Sequence, residues 1–218
     1  MKKYNIKLTF LEPILGTVPK DPDIYKSYIA EKAALGDEQL TEELATVERV
    51  EEKGWTGFHQ IPDGTPVLYD YAVKGFFKEA CSNLNRSPGS LSGKVRAFRK
   101  IIDGMVFVQP RQILLNINGG QMDVLERPLR GQTAQGERVT LARSDTCPIG
   151  TTMEFTVLIL GAVSEALLTE WLDYGQWKGL GQWRNAGWGR FSFHIEQVGI
   201  ARAGPRRRSA PLSDGSAM

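Results

Sequence analysis

Eleven residues, Gly179-Leu-Gly-Gln-Trp-Arg-Asn-Ala-Gly-Trp-Gly189, carry the most legible chemistry in this chain. They read glycine–apolar–glycine, five residues that include an arginine, then glycine–apolar–glycine. Gly179, Gly181, Gly187 and Gly189 permit positive φ and the close approach of a second backbone. Such a turn can aim several N–H groups at one point and form an anion-binding concavity. Arg184 adds a planar fork suited to phosphate. Trp183, mid-loop among polar residues, offers a face on which a base can stack, whereas Trp171 and Trp177 read as core. Together these residues point to nucleic acid. The structural alternative is a loop that only packs a helix against a strand.

Other cations extend this reading. Lys74 and Lys78 fall in the first turns of a predicted helix, where anions are favoured. Arg127, Arg130, Arg138 and Arg143 lie within seventeen residues and predict a positive groove. Catalysis has thinner support. Metal-free RNA cleavage needs a group to remove the 2′-hydroxyl proton and one to protonate the leaving oxygen. His194 falls in the last strand and reads as structural. His59, beside Trp55 and Phe58, is the candidate base, with a solvated surface histidine as the plainer reading. A metal nuclease would need converging carboxylates; Asp21, Asp23 and Asp37 are available, and no motif selects among them. No Cys/His spacing resembles a zinc site, so neither metal nor cofactor is expected.

With 218 residues, 41% of them apolar and 24% charged, the chain can bury a normal core. Its net charge of +2 hides an uneven distribution: residues 21–64 carry a balance of −7 and the rest +9. A basic body interrupted by an acidic segment can attract phosphates. No run approaches the ~18 apolar residues of a membrane helix. The N-terminus reads directly as a strand rather than a signal peptide, and two cysteines are too few for a disulfide framework. The expectation is a cytoplasmic protein that does not engage membranes.

Tyr4, Ile6, Leu8 and Phe10 alternate with polar residues and predict a strand. A long insertion is expected over 19–64, with a helix near Ile24–Gln39. Val73, Phe76, Phe77, Ala80, Cys81 and Leu84 have helical spacing. Lys94, Arg96, Arg99 and Lys100 form a basic run. Residues 104–117 read as strands closed by the Asn118-Gly-Gly120 turn, and short strands are expected around Val139–Leu141. Met153–Ile159 alternates, Ser164 is suited to cap a helix, and Phe191, Phe193 and Ile195 form the last strand. From 202 onward the composition predicts a disordered basic tail. Without the insertion the order is β-α-β-β-α-β, an α+β, ferredoxin-like arrangement that RNA-recognition domains share. One such domain is expected over 1–201.

The glycine loop, placed between the second helix and the last strand, resembles the hallmark of the RAMP superfamily, the RNA-binding subunits and processing endoribonucleases of CRISPR systems. Tyr69-Asp-Tyr-Ala-Val-Lys-Gly-Phe-Phe-Lys-Glu-Ala80 is similar to the lysine-glycine helix start of backbone-forming subunits in type III effector complexes. Arg138-Val-Thr-Leu-Ala-Arg143 resembles their arginine-bearing strand, and Gly150-Thr-Thr-Met-Glu-Phe155 the strand start that follows. The chain departs from that pattern at Tyr69-Asp-Tyr-Ala72, at Gln182-Trp183, and in the acidic segment and tail. The resemblance implies a subunit that contacts the phosphate backbone of single-stranded RNA, with single-stranded DNA as the variant ligand. Its implied partners are other RAMP-like subunits or copies of itself, in a CRISPR-like or phage-encoded ribonucleoprotein. Related subunits place a target-cleaving aspartate in the loop after the first strand, where Asp21, Asp23 and Asp37 lie. Two alternatives stand beside this reading: a processing endoribonuclease using His59, and a non-catalytic protein that docks on a CRISPR complex as an inhibitor.

Overall fold

The computed structural model describes residues 1–21, 54–133, 136–161 and 163–199. Strand β1 (Lys2–Phe10) buries Tyr4, Ile6, Leu8 and Phe10, as the alternation predicts. It lies between β11 (Thr152–Ile159) and β12 (Phe191–Gln197), antiparallel to both. On its far side β11 pairs with β7 (Val106–Gln109) and β8 (Gln112–Asn116). The sheet continues through β6 (Pro66–Tyr69) to β5 (His59–Gln60). Helix α1 (Asp70–Leu84) follows β6, and α3 (Glu165–Lys178) follows β11. The order β12-β1-β11-β7/β8, all antiparallel, with helices after the first and third core strands, is the ferredoxin-like core of an α+β protein.

Periodicity explains why the helices sit where they do. Val73, Phe76, Phe77, Ala80 and Cys81 recur on one face of α1 and enter the same core as β1 and β11. Phe76 meets Phe191 edge-on at 5.6 Å, and Phe77 packs on Trp171 at 5.6 Å. Ser164 caps α3, its Oγ accepting from the Leu167 N–H at 3.1 Å. The other face of the sheet is open. Its central strands carry a Lys7–Glu154 ion pair at 2.8 Å and a Thr156–Asn5 hydrogen bond at 2.9 Å instead of aromatic platforms.

Several features differ from the sequence reading. Trp177 is 75% exposed; it lies two residues, or some 200° of helix, beyond the buried Gly175. The basic run leads into a helix, α2 (Phe98–Met105), whose Phe98, Ile101 and Ile102 pack on the core while Arg99 and Lys100 face solvent. In place of short strands near 139–141 stands a long hairpin, β9 (Asp123–Thr133) and β10 (Gly136–Cys147). Both ends of the expected 19–64 insertion are strand. β3 (Val18–Pro19) and β4 (Trp55–Gly57) join β2 (Ile14–Leu15), β9 and β10 in a second, five-stranded sheet. Residues 22–53, with Asp23, Asp37 and the helix expected near 24–39, lie outside the described residues, as does the tail from 202.

Cys147 ends β10 with its thiol fully buried. Burial, and next the charge of Asp145, push its pKa up to about 12. The folded chain therefore keeps a proton that the unfolded chain releases above about pH 8.5. Stability should hold below that pH and fall by about 1.4 kcal/mol per unit as pH climbs toward 12. Tyr4, raised by burial first and by Glu165 second, moves the same way. Denaturant unfolding at pH 7, 9 and 10 should therefore give a shallower decline for Cys147→Ala than for wild type, since both keep Tyr4.

Candidate nucleic-acid interface

Three parts of the chain converge on one cleft: α1, the glycine loop between α3 and β12, and the near face of the second sheet. Cavities of about 800 and 710 Å³ share Thr17, Pro19, Glu79, Gly181 and Arg184, so they form two ends of one continuous cleft. One end adds Thr56, Arg127, Lys178, Gln182 and Trp183. The other adds His59, Asp70, Tyr71, Lys74, Lys78 and Asp103.

The glycine loop is built by close backbone contact. Gly179, Gly181, Gly187 and Gly189 all have positive φ. The two triplets lie against each other and against residues 13–15. The Leu180 N–H donates to the Gly189 carbonyl at 2.9 Å, the Gly189 N–H to Pro13 at 3.0 Å, and the Gln182 N–H to Leu15 at 3.3 Å. A Cβ on Gly179 would lie 2.4 Å from the Trp188 carbonyl oxygen, and one on Gly181 2.7 Å from that of Leu15. These three amides are committed to protein carbonyls.

The side chains of the loop are held individually. Trp183 is half-buried with φ 51°, a left-handed conformation that costs a bulky residue about 1–3 kcal/mol. The Arg127 guanidinium lies 5.9 Å from its ring centroid. Arg184 pairs with Glu79 of α1. Glu79 also lies 3.7 Å from Lys178, whose Nζ donates to Asn185 Oδ1 at 2.5 Å. The Thr56 hydroxyl donates to Gln182 Oε1 at 2.6 Å and ties the loop to β4. At the other end Lys78 pairs with Asp103 of α2 at 2.5 Å, and Lys74 donates to the Asp103 carbonyl at 3.3 Å.

Of the four arginines expected to share a groove, Arg127 and Arg143 separate. Arg143 stands opposite Glu126, pairs with it at 2.5 Å and lies over the Trp55 ring at 5.6 Å. Arg127 stands opposite Ala142. Neighbours along a strand point to opposite faces, so Arg127 turns toward the cleft and Arg143 away from it. Arg130 and Arg138 sit opposite Val139 and Gly131 in the hairpin; their side chains lie outside the described set.

His59 is 2% exposed, against the expectation of a surface histidine. Pairing of β5 with β6 turns it inward, where its ring meets Tyr69 edge-on at 4.6 Å. Tyr69 stacks on Tyr71 at 5.4 Å with rings 9° from parallel. His194 is exposed on the open sheet face. Sequence reasoning missed Glu79, Lys178, Thr56 and Gln182. It also missed a buried ion pair on the far face of the second sheet, Lys20–Asp145 at 2.8 Å, whose carboxylate accepts from Trp55 Nε1 at 2.8 Å. Among the described residues no three His, Cys, Asp or Glu side chains cluster as metal ligands, and no helix is long and apolar enough to cross a membrane.

No protein-family model matches the chain, and no curated protein matches it in sequence. Among solved structures it is similar to a chain in the cryo-EM structure of the Type III-B Cmr-beta bound to cognate target RNA. The identity is 14% and the TM-score 0.52, over 90% of this chain and 60% of that one. It also aligns with a chain of a Type IV-B CRISPR complex, at 12% identity and a TM-score of 0.46, over 94% of this chain and 95% of that one. The Cmr-beta likeness establishes a fold shared with a CRISPR effector subunit, and this chain spans about 60% of that subunit's length.

Proposed function

We propose that the chain is a RAMP-like RNA-binding subunit that grips the phosphate backbone of a single strand and works beside other RAMP-like subunits or copies of itself. The observation that carries this reading is the charge asymmetry of the cleft. Among the described residues, Arg127, Lys178 and Arg184 around Trp183 face a single carboxylate, Glu79. That end suits phosphate, and the exposed part of the Trp183 ring suits a base. Support from the fold is general, since ferredoxin-like domains serve many functions.

The test is salt-dependent binding of a short single-stranded RNA. Arg127→Ala with Lys178→Ala removes two contacts. The log–log slope against salt should flatten by about 1.4, at roughly 0.7 per phosphate. Trp183→Ala should cost about 1–3 kcal/mol of binding. Wild-type affinity that does not depend on salt sinks the reading. His59→Ala tests catalysis rather than binding: its ring packs against Tyr69, and the binding-subunit reading expects no cleavage by either wild type or variant. Metal-independent cleavage by wild type that vanishes in this variant would favour the endoribonuclease instead.

A further inference from the structure

We propose that the α1 end of the cleft is a ribonucleoside pocket in which Asp70 accepts a hydrogen bond from the ribose 2′-hydroxyl and Tyr71 walls the base. The proposal deepens the RNA-binding reading and rests on it. Among the described residues at this end, the cations Lys74, Lys78 and Arg184 are matched in number by the carboxylates Asp70, Glu79 and Asp103. A balanced pocket has no surplus attraction for phosphate, which belongs at the Arg127–Lys178 end. The 710 Å³ volume accommodates a nucleoside.

The three carboxylates differ in their commitments. Asp103 is held by Lys78 and Glu79 by Arg184. The Asp70 carboxylate makes no hydrogen bond or ion pair among the described residues, although it lines the cleft half-buried. An ionised carboxylate only accepts, so its complement on a nucleic acid is a hydroxyl, an amino group or a ring N–H. A subunit that tolerates any sequence needs a donor that every nucleotide offers. No edge position carries a donor in all four bases, whereas every ribonucleotide has the 2′-hydroxyl, the group that separates RNA from DNA. The neighbouring Tyr71 is 45% exposed, and its ring is held parallel to Tyr69, which rests edge-on against His59. A stacked, supported tyrosine gives a base a rigid wall.

The experiment compares a labelled 15-nucleotide oligo(U) RNA with its 2′-deoxy counterpart by fluorescence anisotropy across a salt series. Wild type should bind the RNA about ten- to a hundredfold more tightly, the range for losing a hydrogen bond to a charged group. Asp70→Ala should bring the two affinities within about threefold with the salt slope intact, and Tyr71→Ala should weaken both strands alike. A merely structural role for Asp70 would lower the thermal midpoint and leave the RNA-to-DNA ratio unchanged, which overturns the proposal. Equal wild-type affinity for both strands overturns it without any variant, while a normal salt slope would leave the phosphate cleft standing. Failure to bind either strand, or binding independent of salt, overturns the cleft reading itself.

Discussion

Gly189→Ala should leave the chain barely folded, while Gly187→Ala, two residues away, should cost only about 1 kcal/mol. Both glycines have positive φ, 71° and 91°, so strain alone does not separate them. Space does. A Cβ on Gly189 would fall 1.8 Å from the Leu180 carbonyl oxygen and 2.9 Å from its carbon, whereas one on Gly187 meets nothing nearer than the Arg190 guanidinium at 3.5 Å. A guanidinium can swing aside. The Leu180 backbone cannot, because its N–H is bound to the Gly189 carbonyl and the Gly189 N–H to Pro13. Relief would have to break both bonds and part the loop from residues 13–15. The expected loss is about 4 kcal/mol or more, a large share of the roughly 5–15 kcal/mol that holds a domain together. Urea unfolding of the two variants measures the contrast. Equal midpoints would mean that the two triplets are not locked as described.

What the sequence made legible follows from how far each signal reaches along the chain. β1, β11 and α1 have enough turns of their own period to declare themselves. α2 carried the same signal in Phe98, Ile101, Ile102 and Met105, but the surrounding Lys94, Arg96, Arg99 and Lys100 read more loudly as a charged loop. β2, β3 and β4 are two or three residues long, too short for any period. They exist because β10 and its neighbours supply hydrogen-bond partners from distant parts of the chain. The glycine loop was legible as a loop with special backbone, and its place between α3 and β12 was readable. The engagement of its amides by Pro13 and Leu15 was not, since nothing in those residue types announces it.

The same limit governs charge. Lys78, Arg143 and Arg184 could be named as cations from sequence, yet each has a carboxylate partner in space: Asp103, Glu126 and Glu79. Arg184 and Glu79 are 105 positions apart. Counting basic residues therefore overstates the field of the cleft; among the described residues the placement of the carboxylates divides it into a positive end and a balanced end. That division places Arg127, Lys178 and Arg184 at the positive end, while the side chains of Arg130 and Arg138 lie outside the described residues. It also leaves Arg143 to pack against Trp55 on the opposite face.

That opposite face holds the second large effect. Replacing either member of the Lys20–Asp145 pair alone should destabilise the protein by about 3–5 kcal/mol, and replacing both should cost less than either single change. Lys20 and Asp145 are 4% and 5% exposed, with their charged ends 2.8 Å apart. Lys20 Nζ also lies 4.6 Å from the centroid of the Trp55 ring. Gly57 makes room for the pair, since a Cβ there would sit 2.6 Å from both Asp145 Oδ2 and Lys20 Cε. Removing one charge leaves the other buried without its partner in this pair. Asp145→Asn retains the oxygen that accepts from Trp55 Nε1, so its loss reports the missing carboxylate charge rather than a broken tryptophan hydrogen bond. Lys20→Met keeps the chain length and removes the charge. A double-mutant cycle of these two changes, measured by denaturant unfolding, should give a coupling of several kcal/mol. The pair lies on the far face of β10 from Arg127, so all three variants should bind RNA with wild-type salt dependence while folded. Strict additivity of the two single losses would mean that the charges do not hold β3, β4 and β10 together, and the second sheet would then owe its cohesion to backbone pairing alone.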